Sequence, residues 1–464
     1  MSESMRECCG LFGVYDADSA IEKTYIGLMS LQHRGEESAG VACTDGRRMD
    51  GHVGMGLVPD VFNQNTVDRF KPFRSAIGHV RYSTLGSSTI KNAQPLLINL
   101  RGKPIAVALN GQITNAATLR KEYEDKGSIF TTSTDTEVIL HVLADPRHAS
   151  LQDAFEHSLC HLEGSFCLLF LTPKEMIAVR DPHGFKPLCL GQQGNTWAVS
   201  SESCAFDHAG FRFTREVEPG EIVKINRFGL DARRFAPKEC PRSHCIFELI
   251  YFARDDSYIF GRSVYSYRKA LGRALALESG VEAEMVMSVP SGGDSAALGY
   301  HEESGIPLEH GFVRNRYIGR TFIRPADLER AKLADLKLNA VSDVIKGKRV
   351  VVVDDSIVRG TTSRSRIGLI KQAGAKEVHV RITCPPLKHT CHYGIDMQQD
   401  EDLIAAQYDP RQIERFLAVD SLHYLEFDSM LDCLGDARND FCVACFKGNY
   451  PVKLRDKVCK EQLG

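Results

Sequence analysis

Apolar residues follow two rhythms along the chain. Up to about residue 235 they form short runs broken by Gly, Asn and Asp: CGLFGVYD, SAIGHVRYST, KPIAVALNG, SFCLLFL, EMIAVRD, TWAVSSES and GEIVKIN. Runs of this length and spacing predict the strands of a layered, strand-rich unit. Helical periodicity interrupts them at residues 21–32 and 135–143. After residue 260 the rhythm becomes strand, helix, strand. EMVMSVP precedes an Ala-rich segment, and RVVVVDDS leads into a helix over 362–372, closed by Gly374 and followed by EVHVRIT. Continuous Val runs joined by helices predict a parallel sheet buried on both faces, with right-handed crossovers. The boundary is expected within 232–245, in ARRFAPKECPRSHC.

Composition narrows the class. The chain has 464 residues, enough for two or three domains. Lys and Arg number 57 against 60 Asp and Glu, and 43% of residues are hydrophobic. That excludes global disorder, and the near balance of charge gives no basic face for coating nucleic acid. The densest apolar run, 166–171, is far shorter than the roughly 18 residues a bilayer span needs. MSESMRECCG lacks the apolar core of a secretory signal, so a cytoplasmic chain with no membrane or nucleic-acid partner is expected. In a reducing compartment its 15 cysteines point to metal, cluster or catalytic roles rather than disulfides. Cys43, Cys167 and Cys204 sit in apolar surroundings and read as core; Cys9, Cys245, Cys391, Cys442 and Cys445 stand apart.

The stretch VVVVDDSIVRGTT, 350–362, carries the most chemistry. A buried strand ends in Asp354 and Asp355, and a loop with Ser356, Arg359, Gly360, Thr361 and Thr362 opens a helix. Strand carboxyl ends are where open α/β sheets bind ligands. Backbone N–H groups at a helix start form an anion cradle, and the helix end adds only about half a positive charge, so hydroxyl donors are needed as well. The two carboxylates repel phosphate and suit sugar hydroxyls and hydrated Mg²⁺. Phosphate below and acids above describe a ribose 5-phosphate. No GxxxxGK[ST] sequence occurs, which disfavours a P-loop nucleotidase. The segment 312–325 places Arg314, Arg316, Arg320 and Arg324 among Tyr317, Ile318 and Phe322; composition alone reads it as a solvated basic face or an RNA patch. CVAC, with Cys442 and Cys445, suits zinc, an iron–sulfur cluster or a redox pair.

VVVVDDSIVRGTT resembles the phosphoribosyl-pyrophosphate (PRPP) loop of type I phosphoribosyltransferases. With CGLFGVY, GHVRYST, the Asn110-Gly111 pair and TSTDTEV, the chain from about residue 9 to 451 resembles the amidophosphoribosyltransferase family, in its iron–sulfur-containing branch. The resemblance implies an α/β and α+β protein. An N-terminal Ntn-hydrolase αββα sandwich, a class II glutaminase over 9–235, would precede a type I phosphoribosyltransferase domain over 236–464 with a cluster-binding tail. Residues 1–8 would be a propeptide whose removal frees Cys9, the nucleophile; Cys8 is the competing thiol. Asn110 and Gly111 would hold the oxyanion, and Arg81, Tyr82 and Asp135 would bind glutamine. QHRGEESAG, 32–40, would be structural. PRPP would contact Asp354, Asp355, Ser356, Arg359, Gly360, Thr361, Thr362 and the lid residues Arg316, Tyr317 and Arg320. Mg²⁺ would sit at Asp354, Asp355 and the position of Gly292, whose side chain is lacking here. Cys245, Cys391, Cys442 and Cys445 would ligate a [4Fe-4S] cluster, although their spacing suits zinc equally. A homotetramer inhibited by purine nucleotides is also implied.

Some positions depart from the family pattern. Val289-Pro290-Ser291-Gly292-Gly293 stands where VPDSG is usual, with Asp294 as a candidate substitute for the missing acid. Asp335 and Ser342 occupy places where arginines are common, and Leu109 stands where His precedes the NG pair. These departures motivate two rival readings: a PRPP-binding sensor, or a paralogue that retains only glutaminase activity.

Overall fold

The computed structural model describes residues 9–82, 88–237, 240–315, 338–397 and 399–454. The first half is two antiparallel sheets stacked face to face. One contains β1 (Gly10–Tyr15), β2 (Ser38–Thr44), β3 (Met49–Met55), β4 (Ser75–Arg81), β9 (Cys189–Gln193), β10 (Thr196–Ser200) and β11 (Arg212–Glu216), in the order β11-β9-β10-β1-β4-β2-β3. The other contains β5 (Leu96–Leu100), β6 (Lys103–Ile113), β7 (Gly164–Leu171), β8 (Glu175–Arg180), β12 (Glu221–Asn226) and β13 (Gly229–Arg234), in the order β13-β12-β8-β7-β6-β5.

Between the sheets lies an apolar layer that includes Leu11, Ile77, Leu169, Met176 and Val199, all fully buried. The outer face of the second sheet packs Leu109, Phe166, Phe170 and Val179 against Val138 and Ile139 of the helix Asp135–Ala144. The helix Ala20–Ser30 covers the first sheet. Its Gly27 lies flat on Phe12; a Cβ there would stand 2.3 Å from the ring. The helix expected over 21–32 thus ends at Ser30, and Gln32–Arg34 tightens into a short 3₁₀ turn. These layers, helix, sheet, sheet and helix, are the expected αββα sandwich.

In the second half the strands Met285–Ser288, Arg349–Asp354, Glu377–Ile382 and Ser421–Tyr424 form a parallel sheet in that order. Val350, Val351 and Val353 are fully buried in it, as a strand covered on both faces requires. Helices Val264–Glu278, Asp294–Ser304 and Thr361–Gln372 supply the layers. Among the described residues no helix is long and apolar enough to cross a membrane.

The halves share one continuous core, from Phe12 and Phe206 through Phe247 to Phe446. At its centre is a buried charge network. Arg34 donates to Glu202 Oε1 at 2.6 Å and, through two nitrogens, to both oxygens of Glu248 at 2.9 Å. Lys186 lies 3.1 Å from Glu248, and His33 lies 2.7 Å from Glu202. The Glu202 Oε2 atom accepts from the Ser257 hydroxyl at 2.7 Å and the Arg254 N–H at 3.0 Å. Burial opposes ionisation of Glu202, but His33 and Arg34 outweigh it and hold the carboxyl well below its ordinary range. Breaking such a pair leaves a buried charge uncompensated, which costs about 3–5 kcal/mol. Arg34→Met is therefore expected to lose that much in denaturant unfolding; a loss under about 1 kcal/mol would contradict the account.

Candidate active site

Cys9 sits at the head of β1, buried, with its thiol donating to the Tyr82 carbonyl at 3.5 Å. Its own carbonyl accepts from Arg34 Nε at 3.1 Å, so the charge network also fixes the chain at Cys9. Burial pushes the Cys9 thiol up; Arg81 opposes the shift and Asp135 adds to it. Burial therefore favours the neutral thiol over the thiolate.

The sheets bring the other predicted residues to this point. Arg81, the last residue of β4, and Tyr82 are both buried. Asp135, the first residue of its helix, accepts from the Ile113 N–H at 3.0 Å and the Thr134 hydroxyl at 3.2 Å. Burial nevertheless raises its carboxyl, because those two bonds only partly offset desolvation.

Asn110 lies on β6, with its Nδ2 3.3 Å from Ser201 Oγ and its Oδ1 without a partner among the described residues. Ser201 Oγ also accepts from the Leu11 N–H at 2.9 Å. Turning the Asn110 amide over lets the Ser201 hydroxyl donate to Oδ1 and frees Nδ2 as a donor. Gly111 has φ 139°, and a Cβ there would stand 2.1 Å from the Ser165 carbonyl oxygen. Glycine is required. His79, expected nowhere above, donates through Nε2 to the Leu109 carbonyl at 3.0 Å; burial pushes its imidazole down to about 3, so it is neutral.

The second half contributes to the same place. Tyr82 donates to Asp396 Oδ2 at 3.3 Å. A Cβ on Gly394 would stand 3.3 Å from the Gly111 carbonyl carbon. The 391–397 segment therefore forms a wall of the Cys9 site.

The phosphate-loop residues gather at the carboxyl end of the parallel sheet. Asp354 and Asp355 are buried side by side. Burial raises Asp354 first and the neighbouring Asp355 charge raises it further, to about 7, against the pull of Arg366 at 3.3 Å. Asp355 is also raised by burial, and Ser356 donates to it at 2.5 Å. Gly360, at φ 79°, caps the helix Thr361–Gln372 and leaves the first N–H groups of that helix without intrahelical partners. Arg359 pairs with Asp402 at 3.0 Å. Gly292, on the turn after the neighbouring strand, faces Asp355: a Cβ there would stand 1.9 Å from Asp355 Oδ2. Asp294 accepts from Ser288 at 2.5 Å. Ser342 is exposed at the start of a short helix. Arg316, Tyr317, Arg320 and Asp335 lie outside the described residues, as do residues 1–8.

The four singled-out cysteines converge from distant places. Cys245 and Cys442 are paired residues of a two-stranded parallel ladder, His244–Cys245 with Phe441–Cys442. The Cys445 carbonyl accepts the Lys388 and His389 N–H groups, each at 3.0 Å, which ties CVAC to the segment holding Cys391. Burial raises all four thiols, and Cys245 reaches about 11; buried Lys186 opposes the rise at Cys245, Cys391 and Cys442. Among the described residues no three of these sulfurs lie within 4.8 Å of one another. Thiolates around one zinc, at Zn–S of about 2.3 Å, stand about 3.8 Å apart.

The sequence of a glutamine amidotransferase domain family matches residues 79–208. The chain is 45% identical to the amidophosphoribosyltransferase of Bacillus subtilis (strain 168) over 457 residues, 97% of this chain and 96% of that protein. The chain belongs to the amidophosphoribosyltransferase family. A Methanothermobacter thermautotrophicus member is 43% identical, over 98% of this chain and 96% of that protein. Among solved structures, the B. subtilis glutamine PRPP amidotransferase complexed with ADP and GMP superposes with a TM-score of 0.92 at 44% identity, covering 98% of this chain and all of that one. A structure described as the allosteric regulatory enzyme of purine biosynthesis gives 0.93 at 44% identity, over 98% and 99%.

Membership in the amidophosphoribosyltransferase family agrees with the two constellations. It does not by itself explain Gly292, for which the structure offers a packing reason: the Asp355 carboxylate fills the space a side chain would take. Residues not anticipated individually are Arg34, His79, Ser201, Gly394 and Asp396.

The raised Asp354 pKa has a stability consequence. The protonated carboxyl supports the fold below its ordinary range near pH 4, and that support is lost as pH rises through about 7. Asp354→Asn is therefore expected to make the metal-free protein more stable at pH 8, by more than about 1 kcal/mol, with little change at pH 4. Thermal unfolding at both pH values checks this; a destabilised variant at pH 8 would contradict it.

Proposed function

We propose that this chain performs the reaction of the amidophosphoribosyltransferase family with the residues described above. Glutamine is hydrolysed at Cys9, and the ammonia displaces diphosphate from C1 of PRPP. The products are 5-phosphoribosylamine, glutamate and diphosphate, and the reaction opens de novo purine synthesis. The observation that carries the assignment is one continuous core running from β1, at whose head the buried Cys9 stands within electrostatic reach of Arg81 and Asp135, to the acid-tipped strand leading into a helix start.

In the glutaminase half, residues 9–235, removal of residues 1–8 gives Cys9 a free α-amine with a pKa of about 7.7. That amine takes the proton of the buried thiol, and the sulfur attacks the glutamine carboxamide. Asn110 and the Gly111 N–H receive the oxyanion. Collapse expels ammonia and leaves a glutamyl thioester, which water cleaves. Arg81 clamps the substrate carboxylate, Asp135 receives its ammonium group, and Tyr82 lines the site.

In the transferase half, residues 236–464, Ser356, Arg359, Gly360, Thr361 and Thr362 hold the 5-phosphate, while Asp354 and Asp355 orient the ribose hydroxyls. Arg316, Tyr317 and Arg320 neutralise the diphosphate and exclude water. Two adjacent carboxyls whose pKa values are raised by burial, against the pull of nearby arginines, are suited to a cation, so Mg²⁺ fits Asp354 and Asp355; Gly292 offers it no side chain. When bound, Mg²⁺ supplies charge to the leaving diphosphate. Four buried thiols brought together from distant places suit a metal centre, and on the family resemblance we assign Cys245, Cys391, Cys442 and Cys445 to a [4Fe-4S] cluster. Its contribution is structural: it pins the C-terminal segment against the 391–397 wall. A homotetramer regulated by purine nucleotides completes the proposal.

Loss of one oxyanion donor costs about 2.7–4 kcal/mol. Asn110→Ala should therefore slow glutamine-dependent diphosphate release about 100- to 1,000-fold while leaving the ammonia-dependent rate unchanged. Cys9→Ser should abolish glutamate formation with the same sparing. No diphosphate release with either glutamine or ammonia, and no glutaminase activity, would restore the sensor reading of the Gly292 departure; no release with ammonia while glutaminase persists would restore the glutaminase-only reading.

A further inference from the structure

The outer face of the glutaminase half carries a cluster that this reaction does not use. His148, Asp153 and His157 each present one donor atom, and the three lie within 4.8 Å of one another. Asp153 and His157 are four residues apart on the helix Leu151–Ser158, hence on one face. His148 is brought over that face by the preceding turn. The Asp153 carboxylate accepts the Ala149 N–H at 2.8 Å, and Ser150 accepts the Asp153 N–H at 3.1 Å. Arg101 holds the turn from the far side, donating to the His148 carbonyl at 2.5 Å and the Asp145 carbonyl at 2.6 Å.

Buried Ser158 lies 3.0 Å from His148 Nε2 and 3.3 Å from the Val142 carbonyl, so its hydroxyl anchors the ring through Nε2. The tautomer with its proton on Nε2 turns the His148 Nδ1 lone pair toward Asp153 Oδ2, 3.8 Å away. The His157 Nδ1 lies 2.8 Å from Asp153 Oδ1 and 2.9 Å from the Asp153 carbonyl oxygen, and a cation would take the place of the proton it donates there. Two imidazoles and a carboxylate, with one imidazole anchored through its other nitrogen, match how proteins orient ligands for a cation.

We propose that His148, Asp153 and His157 form a binding site for a divalent transition cation of the zinc class. Imidazole and carboxylate ligands suit Zn²⁺ and Ni²⁺ rather than Ca²⁺ or Mg²⁺, which take oxygen. A tetrahedral zinc places its donors about 3.3 Å apart. The ligand atoms reach that spacing by turning His157, which is 68% exposed. His148 and Asp153 stay where the turn holds them, and water takes the fourth position. The cation would staple the turn to the helix, independently of the two reaction sites.

The test uses the full chain with its cluster loaded, so that the thiols are occupied. Zn²⁺ is titrated against a chromophoric chelator into parent, His148→Ala and His157→Ala proteins. The parent should bind one Zn²⁺ per chain in the micromolar range, and each variant should bind it at least tenfold more weakly at unchanged glutaminase activity. Co²⁺ in place of Zn²⁺ should give weak visible bands without the intense near-ultraviolet bands of sulfur ligation, which reads the ligand set in the parent without any substitution. Equal zinc binding by all three proteins, sulfur bands with Co²⁺, or no binding below about 1 mM would each overturn the proposal.

Discussion

Everything in this protein turns on a cation held without water. Arg34 is fully buried, and its guanidinium meets the carbonyl of Cys9, the carboxylate of Glu202 in the first half and that of Glu248 in the second. With Lys186 it balances those two carboxylates, two charges against two. A buried pair of this kind gains little over an apolar replacement, but it tolerates few geometries. Here it specifies how the halves dock and where Cys9 sits. The planar fork of arginine can serve three partners at once, which the single ammonium of lysine cannot.

Close backbone approach builds the rest of the two sites. At Gly111 the neighbouring strand leaves no room for a Cβ, and at Gly292 a Cβ would have to displace the Asp355 carboxylate. Gly394 brings the second half against Gly111. The cysteines follow the same logic: Cys391 begins the segment that reaches the surroundings of Cys9, and the Lys388 and His389 N–H bonds to the Cys445 carbonyl hold that segment from behind. Stability at this junction and chemistry at Cys9 are therefore properties of the same contacts.

The pattern of apolar runs revealed β1, β4, β6, β7, β8, β10 and β12, all interior strands. It passed over β3, β5, β11 and β13, the four sheet edges, all half-exposed; β3, β11 and β13 are interrupted by polar residues, while β5 is a short apolar run, LLINL, with alternate residues facing solvent. Two interior strands, β2 and β9, also lacked a signal because SAGVACT and CLGQQ are rich in small or polar residues. Site residues were legible where the chemistry is contiguous, as in Asn110-Gly111 and Asp354-Asp355. Arg34 stood within a segment legible only as structural, because its partners Glu202 and Glu248 are 168 and 214 positions away. Gly292 looked like a missing ligand in sequence; the structure shows the space beside it filled by Asp355.

The central claim is that the buried guanidinium positions Cys9 as well as joining the halves. Its most direct test is Arg34→Lys, which keeps the charge and removes the fork, assayed for ribosylamine formation from PRPP with glutamine and with ammonia. Glutamine-dependent turnover should fall at least about tenfold, equivalent to 1.4 kcal/mol, while the ammonia-dependent rate stays within about twofold. Equal rates to the parent with both donors, or an equal fall with both, would contradict it.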